Sequence, residues 1–265
     1  MDLEINEESL NYEVKKRIAY ITINRPHAAN SLDAHCLLQI PKLLDEINKD
    51  RKVRCVVFQS AGEKNFSGGL DLKMIQSLGD KSVPFILENG IKVTKAVMKC
   101  IKPTVACIQG NAIGWGTMLF LNCDFRIVAD KPEIRFALPE IEIGMFPGTG
   151  ALLLPLFNLG AHKARELLLL RKRVGIDYMR EIINLVVPPE DLEAATLDFL
   201  KPIRRFPADD LMQLTKSVIN ISGRNLALKT LEIEAECVNY AVAKDKPPLD
   251  EFIADLWAKN VPSKD

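Results

Sequence analysis

The strongest constraint on this chain is a pattern that occurs twice. An apolar, β-rich run ends in a glycine-rich turn, and a helical segment follows. RCVVFQS (54–60) leads into AGEKNFSGGLDL, and PTVACIQG (103–110) leads into GNAIGWGTML (110–119). Continuous apolar runs of this kind suit strands buried on both faces of a sheet. Strands that alternate with helices require parallel pairing and right-handed crossovers. Gly110, Gly114 and Gly116 let the second turn bring its backbone close to something, yet the large Trp115 sits between the last two.

The rest of the chain fits the same scheme. RIAYITIN (17–24) alternates as a strand. NSLDAHCLLQIPKLLDEINKD predicts a helix, with Asn30 or Ser31 as its cap and Pro41 as a bend or restart. Further helices are expected over 83–100 and from the second glycine turn to near Asn122. DFRIVAD (124–130) reads as a strand and VVP (186–188) as a short one. PGTG (147–150) is expected to open a helix with Thr149 as its cap. From about residue 160 the pattern is helical, through HKARELLLL, ADDLMQLTKSVINI (208–221) and LALKTLEIEAECVNYAVAK. The expected layout is an α/β core over 1–200 and a helical region over 201–265.

Composition removes several classes of function. Thirty-five basic and 35 acidic residues cancel, so nothing points to nucleic acid or to an anionic membrane surface. The six cysteines (36, 55, 100, 107, 123, 237) form no CxxC and lie mostly in apolar runs, which reads as free thiols in a reducing compartment. His27, His35 and His162 show no metal-ligand spacing, so no metal is expected. The acidic start MDLEINEESLNYEV reads as neither a signal nor a transit peptide. The longest apolar run, ALLLPLFNLG, is too short for a bilayer span and contains Pro155. The expectation is a soluble, cytoplasmic protein.

The spacing GxxxGxG after a strand also suits a dinucleotide-binding turn, and Tyr240 and Lys244 make a YxxxK. That alternative fits poorly. Such a turn opens the first βα unit, whereas about 100 residues precede Gly110 here, and no acidic residue follows at the expected place. Tyr240 and Lys244 read as surface residues of an acidic helix.

The presence of two glycine turns is more informative. Both put backbone N–H groups at the end of a parallel strand, where ligands of open α/β sheets gather. Two N–H donors aimed at one oxygen stabilise an enolate or a tetrahedral oxyanion. In order, the chain then carries INRP (23–26), FSGGLDL, KPTVACIQGNAIGWG, CDFRIVAD and FALPEIEIGMFPGTG (136–150). This series resembles the crotonase superfamily, the enoyl-CoA hydratase/isomerase family, over at least residues 15–225. The resemblance implies a ClpP/crotonase-like spiral of ββα units with a helical C-terminal trimerisation region, in a homotrimer or a dimer of trimers. It implies acyl thioesters of coenzyme A as substrates, the coenzyme entering only as part of the substrate; acyl carrier protein stays open as a carrier.

Carried over position by position, the resemblance makes the backbone N–H groups of Leu70 and Trp115 the oxyanion hole, with the Trp115 indole walling the acyl pocket. It places Gly68, Leu70, Asp71, Leu72 and Lys73 along the coenzyme A pocket, with Arg25 and Ala28 flanking the nucleotide. Asp71 also reads as a helix cap, and Asp124 as a maker of structural hydrogen bonds. Family hydratases use two glutamates to hold and split a water. The first of those positions is Met118 here; the second is Glu140, in the pair Pro139–Glu140. Met118 neither transfers a proton nor positions a water; the resemblance makes it, with Trp115, part of the substrate-binding lining. A lone carboxylate suits a proton shuttle, and this acid pattern is similar to that of Δ3,Δ2-enoyl-CoA isomerases. Apolar neighbours (Leu138, Ile141, Ile143, Met145) are expected to raise the pKa of Glu140. Hydration, another enolate-forming reaction such as decarboxylation or C–C bond chemistry, and a non-catalytic binding role stay open.

Overall fold

The computed structural model describes residues 7–205, 210–222 and 224–260. It begins with a hairpin of which only the second strand is legible in the sequence. β1 (Leu10–Lys15) lies antiparallel to β2 (Ile18–Ile23). Every β1 residue after Leu10 is exposed, so β1 has no apolar signature, whereas β2 is buried nearly throughout.

α1 (Ala34–Lys49) follows. Its cap is Asp33, which accepts from the Cys36 N–H, and neither Asn30 nor Ser31. The helix runs through Pro41. Next come β3 (Cys55–Ser60), β4 (Asn65–Ser67), α2 (Leu72–Leu78) and α3 (Ser82–Lys99). The unit repeats as β5 (Thr104–Ile108), β6 (Asn111–Ile113) and α4 (Trp115–Asn122). It repeats again as β7 (Phe125–Ala129), β8 (Phe136–Ala137) and α5 (Leu153–Leu168). Then follow α6 (Ile176–Met179), β9 (Leu185–Val187) and α7 (Leu192–Phe199).

Each unit sends one strand to each of two sheets. The larger sheet has the order β1-β2-β3-β5-β7-β9 and is parallel from β2 onward; the smaller is β4-β6-β8, all parallel. The chain therefore winds as a spiral of ββα units. β4 and β6 hide in the sequence inside the glycine-rich turns, and β8 within the stretch before Pro139, because two or three residues cannot display a period. The core packs Ile18, Ile21, Val56, Phe58 and Phe66 between sheets and helices. Phe120 of α4 meets Phe136 of β8 at 4.5 Å between ring centroids. Burying each such ring stabilises by roughly 1.5–3 kcal/mol.

The C-terminal part is helical: α8 (Lys201–Arg205), α9 (Asp210–Ser222), α10 (Arg224–Val242) and α11 (Leu249–Asn260). The start expected at Ala208 and Asp209 lies outside the described residues. α10 stops before Lys244, so Tyr240 and Lys244 do not share a helical face. Tyr240 instead stacks on Phe252 at 4.1 Å and donates to the Pro247 carbonyl. Asp124 ties strand to helix: it accepts from the Thr104 N–H and hydroxyl and pairs with Lys216 at 2.6 Å. All six thiols are free. Among the described residues no helix is long and apolar enough to cross a membrane.

Candidate active site

The turn after β4 is pinned on both sides of Leu70. Gly68 N–H donates to the Ala29 carbonyl at 2.8 Å, the Gly69 carbonyl accepts from Leu32 N–H at 2.7 Å, and Asp71 N–H donates to the Leu32 carbonyl at 2.9 Å. Asp71 caps α2 through one oxygen, which accepts from Lys73 and Met74 N–H, while the other takes Arg25 Nη2 at 2.6 Å. Burial pushes the Asp71 pKa up, but the Arg25 guanidinium and the two N–H bonds outweigh it and leave the carboxyl below its ordinary value. Leu70 N–H donates to nothing among the described residues.

The turn after β6 is held as firmly. Gly114 N–H donates to the Ala137 carbonyl at 2.8 Å and the Gly114 carbonyl accepts from Met118 N–H at 3.0 Å. Gly114 has φ 52° and ψ −117°, which disfavours an L side chain. Trp115 opens α4, so its N–H has no intrahelical acceptor. Among the described residues it has no other partner. Close packing brings the two turns together. A Cβ at Gly116 would sit 2.6 Å from the Ser67 carbonyl oxygen, and one at Gly69 would sit 3.6 Å from the Trp115 nitrogen. Two unpartnered main-chain donors, each next to a glycine, thus lie in adjoining turns, the kind of arrangement that can serve an oxygen that gains negative charge.

β8 delivers a carboxyl to the same place. Glu140 begins a 3₁₀ turn, Glu140–Ile143, immediately after Pro139. A Cβ at Gly114 would lie 3.5 Å from Glu140 Oε1. Oε2 is buried and has no hydrogen-bond partner among the described residues. Burial pushes the Glu140 pKa up to about 7. Glu142, two residues on, instead pairs with Arg173 at 2.9 Å on the surface. Two unpartnered backbone N–H groups beside a carboxyl whose pKa is pushed up to about 7 form an arrangement suited to proton transfer next to a carbonyl.

The family model for enoyl-CoA hydratase/isomerase matches residues 13–253. The chain belongs to the enoyl-CoA hydratase/isomerase family. Its curated relatives include a short-chain-enoyl-CoA hydratase of Clostridium acetobutylicum, 30% identical over 82% of this chain and 82% of the relative. A crotonyl-CoA hydratase of Syntrophomonas wolfei is 31% identical over 70% of this chain and 71% of its own. The solved structure of an enoyl-CoA hydratase/isomerase from Xanthobacter autotrophicus superposes with a TM-score of 0.79 at 28% identity, covering 95% of this chain and 93% of that one. The two-sheet spiral is therefore the crotonase fold.

On this enoyl-CoA hydratase/isomerase framework the remaining sequence-derived residues separate into a rim and a support. Gly68, Leu72 and Lys73 lie exposed beside the first turn, with Ala28 half-buried next to them. Arg25 points inward. It pairs with Asp71 and Asp33, and donates to the Ser31 carbonyl and hydroxyl at 2.7 and 3.0 Å. Met118 is 1% exposed on the first turn of α4, three residues after Trp115. The Trp115 indole packs toward α3: a Cβ at Gly90 would sit 3.2 Å from its Cζ2.

Two supporting residues escaped the sequence reading. Asn30 donates to the Ala61 and Asn65 carbonyls and accepts from Arg25 N–H, joining three loops. Its signal was a polar residue amid loop motifs, which resembles any helix cap. The other is Glu234. Thr149 does not cap α5; it has φ 60°, and its carbonyl accepts from the Thr94 hydroxyl. Glu234 of α10 does the capping from a distance of 81–84 residues in sequence.

Proposed function

We propose that the protein is an enoyl-CoA isomerase that moves a double bond from the 3,4 to the 2,3 position of an acyl thioester. The observation that carries this reading is the pairing of Glu140 with Met118: a carboxyl beside the oxyanion turns, and a buried thioether where a family hydratase resembling this chain has its other acid. The thioester oxygen accepts from Leu70 and Trp115 N–H. Glu140 takes a proton from Cα, and the electron pair delocalises onto that oxygen as an enolate. The same carboxyl returns the proton to Cγ, the double bond reforms between Cα and Cβ, and the base is regenerated. No water is consumed and no group beyond the thioester is needed.

Ala28, Gly68, Asp71, Leu72 and Lys73 offer a rim for coenzyme A, with acyl carrier protein as the alternative carrier; Arg25 acts there through Asp71. Exposed apolar side chains such as Phe157 on α5, Leu169 just after it, Leu211 and Leu214 on α9, and Trp257 on α11 favour a trimer or a dimer of trimers. A reducing, cytoplasmic setting suits the free thiols.

Hydration is the second reading, favoured by the hydratase names of the relatives. Incubation with 3-enoyl-CoA and, separately, 2-enoyl-CoA thioesters separates the two. Appearance of the conjugated-thioester chromophore from the 3-enoyl substrate supports the isomerase. Rapid loss of chromophore from the 2-enoyl substrate, with none gained from the 3-enoyl one, refutes it.

A further inference from the structure

α10 presents one face to the segment that follows Glu140. Leu231, Glu234 and Val238 share that face by helical spacing. Leu231 is buried against Leu153. Glu234 is fully buried and accepts three backbone N–H bonds: Gly150 at 2.5 Å on Oε2, and Leu152 at 3.1 Å and Leu153 at 2.8 Å on Oε1. Val238 closes on Gly148 so tightly that a Cβ there would sit 2.7 Å from its Cγ2. The segment between Glu140 and α5 is thus gripped along its backbone. At the other end, Met145 N–H donates to the Glu140 carbonyl at 2.8 Å. Two residues of the segment, Gly144 and Gly150, are at φ 73° and 118°, and Thr149 is at 60°, so the path is specific.

A helix N-terminus is ordinarily satisfied by a neighbouring Ser, Thr, Asp or Asn. Here Leu152 holds the cap position and offers no side-chain bond. The donors are satisfied instead by a carboxylate from the C-terminal region.

We propose that Glu234 is a positioning residue for Glu140, through which α10 holds the Glu140–Leu153 segment and so sets the placement of the base against the oxyanion turns. The inference rests on the isomerase reading for its kinetic readout only. The ionisable groups bearing on Glu234 are Glu140 and, on its own helix, Cys237. Burial pushes the Glu234 pKa up to about 7; the three N–H bonds oppose this and the charge of Glu140 adds to it.

The test uses the full chain with Glu234→Gln and Glu234→Ala. The amide keeps an oxygen for Leu152 and Leu153 but turns a donor or loses an acceptor at Gly150; alanine removes both acceptor oxygens and with them all three bonds. Three measurements are made: kcat and KM on a 3-enoyl-CoA thioester as a function of pH, hydrogen exchange at Gly150, Leu152 and Leu153, and the titration of Glu140 by carbon NMR of labelled glutamate. Glu140→Gln assigns the resonance. Expected for Glu234→Gln are a loss of roughly tenfold or more in kcat with KM held within a few-fold, faster exchange at Gly150, and a shifted Glu140 titration. Alanine does the same more strongly. A folded Glu234→Gln protein with wild-type kcat, pH profile and Glu140 titration overturns the proposal. So does a loss confined to thermal stability. If the wild-type chain fails to isomerise, the isomerase reading falls, and the Glu140 titration and the exchange data still decide the role of Glu234.

Discussion

Glu140 lies against Gly114: a Cβ on that glycine would stand 3.5 Å from Glu140 Oε1. The carboxyl therefore abuts the residue just before the Trp115 donor, and β8 brings it there by pairing with β6 at Ala112–Phe136 and Ile113–Ala137. One strand pairing thus sets the distance between the Glu140 carboxyl and the turn that carries Trp115.

The Glu140 pKa gives a pH dependence with a definite sign. The base acts when ionised, so kcat on a 3-enoyl thioester is expected to rise with pH and level off above about 7. Glu140→Gln is expected to retain thioester binding and lose roughly 10²–10⁴-fold in kcat. A profile flat from pH 5 to 9, or a fully active variant, refutes the assignment.

The same burial has a stability consequence. A carboxyl whose folded pKa exceeds its unfolded value favours the fold when protonated. Ionisation then weakens the fold as pH climbs from the ordinary carboxylate range to about 7, and the penalty is constant beyond. Glu140→Gln is therefore expected to raise Tm at pH 8 and to leave it little changed at pH 4. Equal shifts at both values would show that the carboxyl is not desolvated.

Met118→Glu restores a second acid at the position the resemblance assigns to hydratases. The site is 1% exposed, so an unpaired carboxylate there is expected to cost about 3 kcal/mol or more. The variant is expected to melt lower and to acquire hydration of 2-enoyl thioesters, read as loss of chromophore. A folded variant that isomerises at the wild-type rate and hydrates nothing places residue 118 away from the reacting atoms.

The parallel core was legible because β3 and β5 are unbroken apolar runs, and the two turns beyond them because glycines punctuate them. β1 was not, since its burial ends after Leu10; β4, β6 and β8 were not, since strands of two or three residues carry no period. Of the candidate site, the sequence points most directly to positions defined by local backbone, such as Leu70 and Trp115, whose N–H groups have no partner among the described residues. Arg25 and Glu234 mark the limit. Arg25 is expected to flank the nucleotide, yet its partners Asp33 and Asp71 are eight and 46 residues away. The carboxylate that accepts from Gly150, Leu152 and Leu153 N–H at the start of α5 belongs to a helix more than 80 residues on. Long-range hydrogen bonds leave no pattern in one chain.

Gly116→Ala tests the contact between the turns. The new Cβ would meet the Ser67 carbonyl oxygen at 2.6 Å and its carbon at 3.3 Å, which are backbone atoms that cannot swing aside. Separation of the turns is expected to cost both stability and at least tenfold in kcat. Gly79→Ala serves as control: it has φ 53° but nothing within 4 Å, so it strains its own backbone without touching the site. An active, stable Gly116→Ala protein would refute the close packing.

Arg25 supplies the last prediction. Its guanidinium meets Asp71 at 2.6 Å and Asp33 at 3.3 Å, with all three side chains about one-tenth exposed. Removing one partner of a buried pair strands the others, which typically costs about 3–5 kcal/mol. Arg25→Met is expected to destabilise on that scale and to weaken thioester binding, because Asp71 fixes the backbone beside Leu70. The pH dependence carries the sign. The Asp71 pKa lies below its ordinary value, because the Arg25 contact and the N–H bonds overcome a burial that by itself raises it. Its contribution to stability is thus present above the unfolded-state pKa and is lost as pH falls through the folded one. In Arg25→Met the Asp71 pKa rises, so acid unfolding is expected to begin at higher pH than in the wild type. Identical acid-unfolding midpoints would show that Arg25 does not hold Asp71 ionised. Lysine at 25 is not expected to restore function, since one ammonium cannot replace a planar fork that reaches Asp71, Asp33 and Ser31 together.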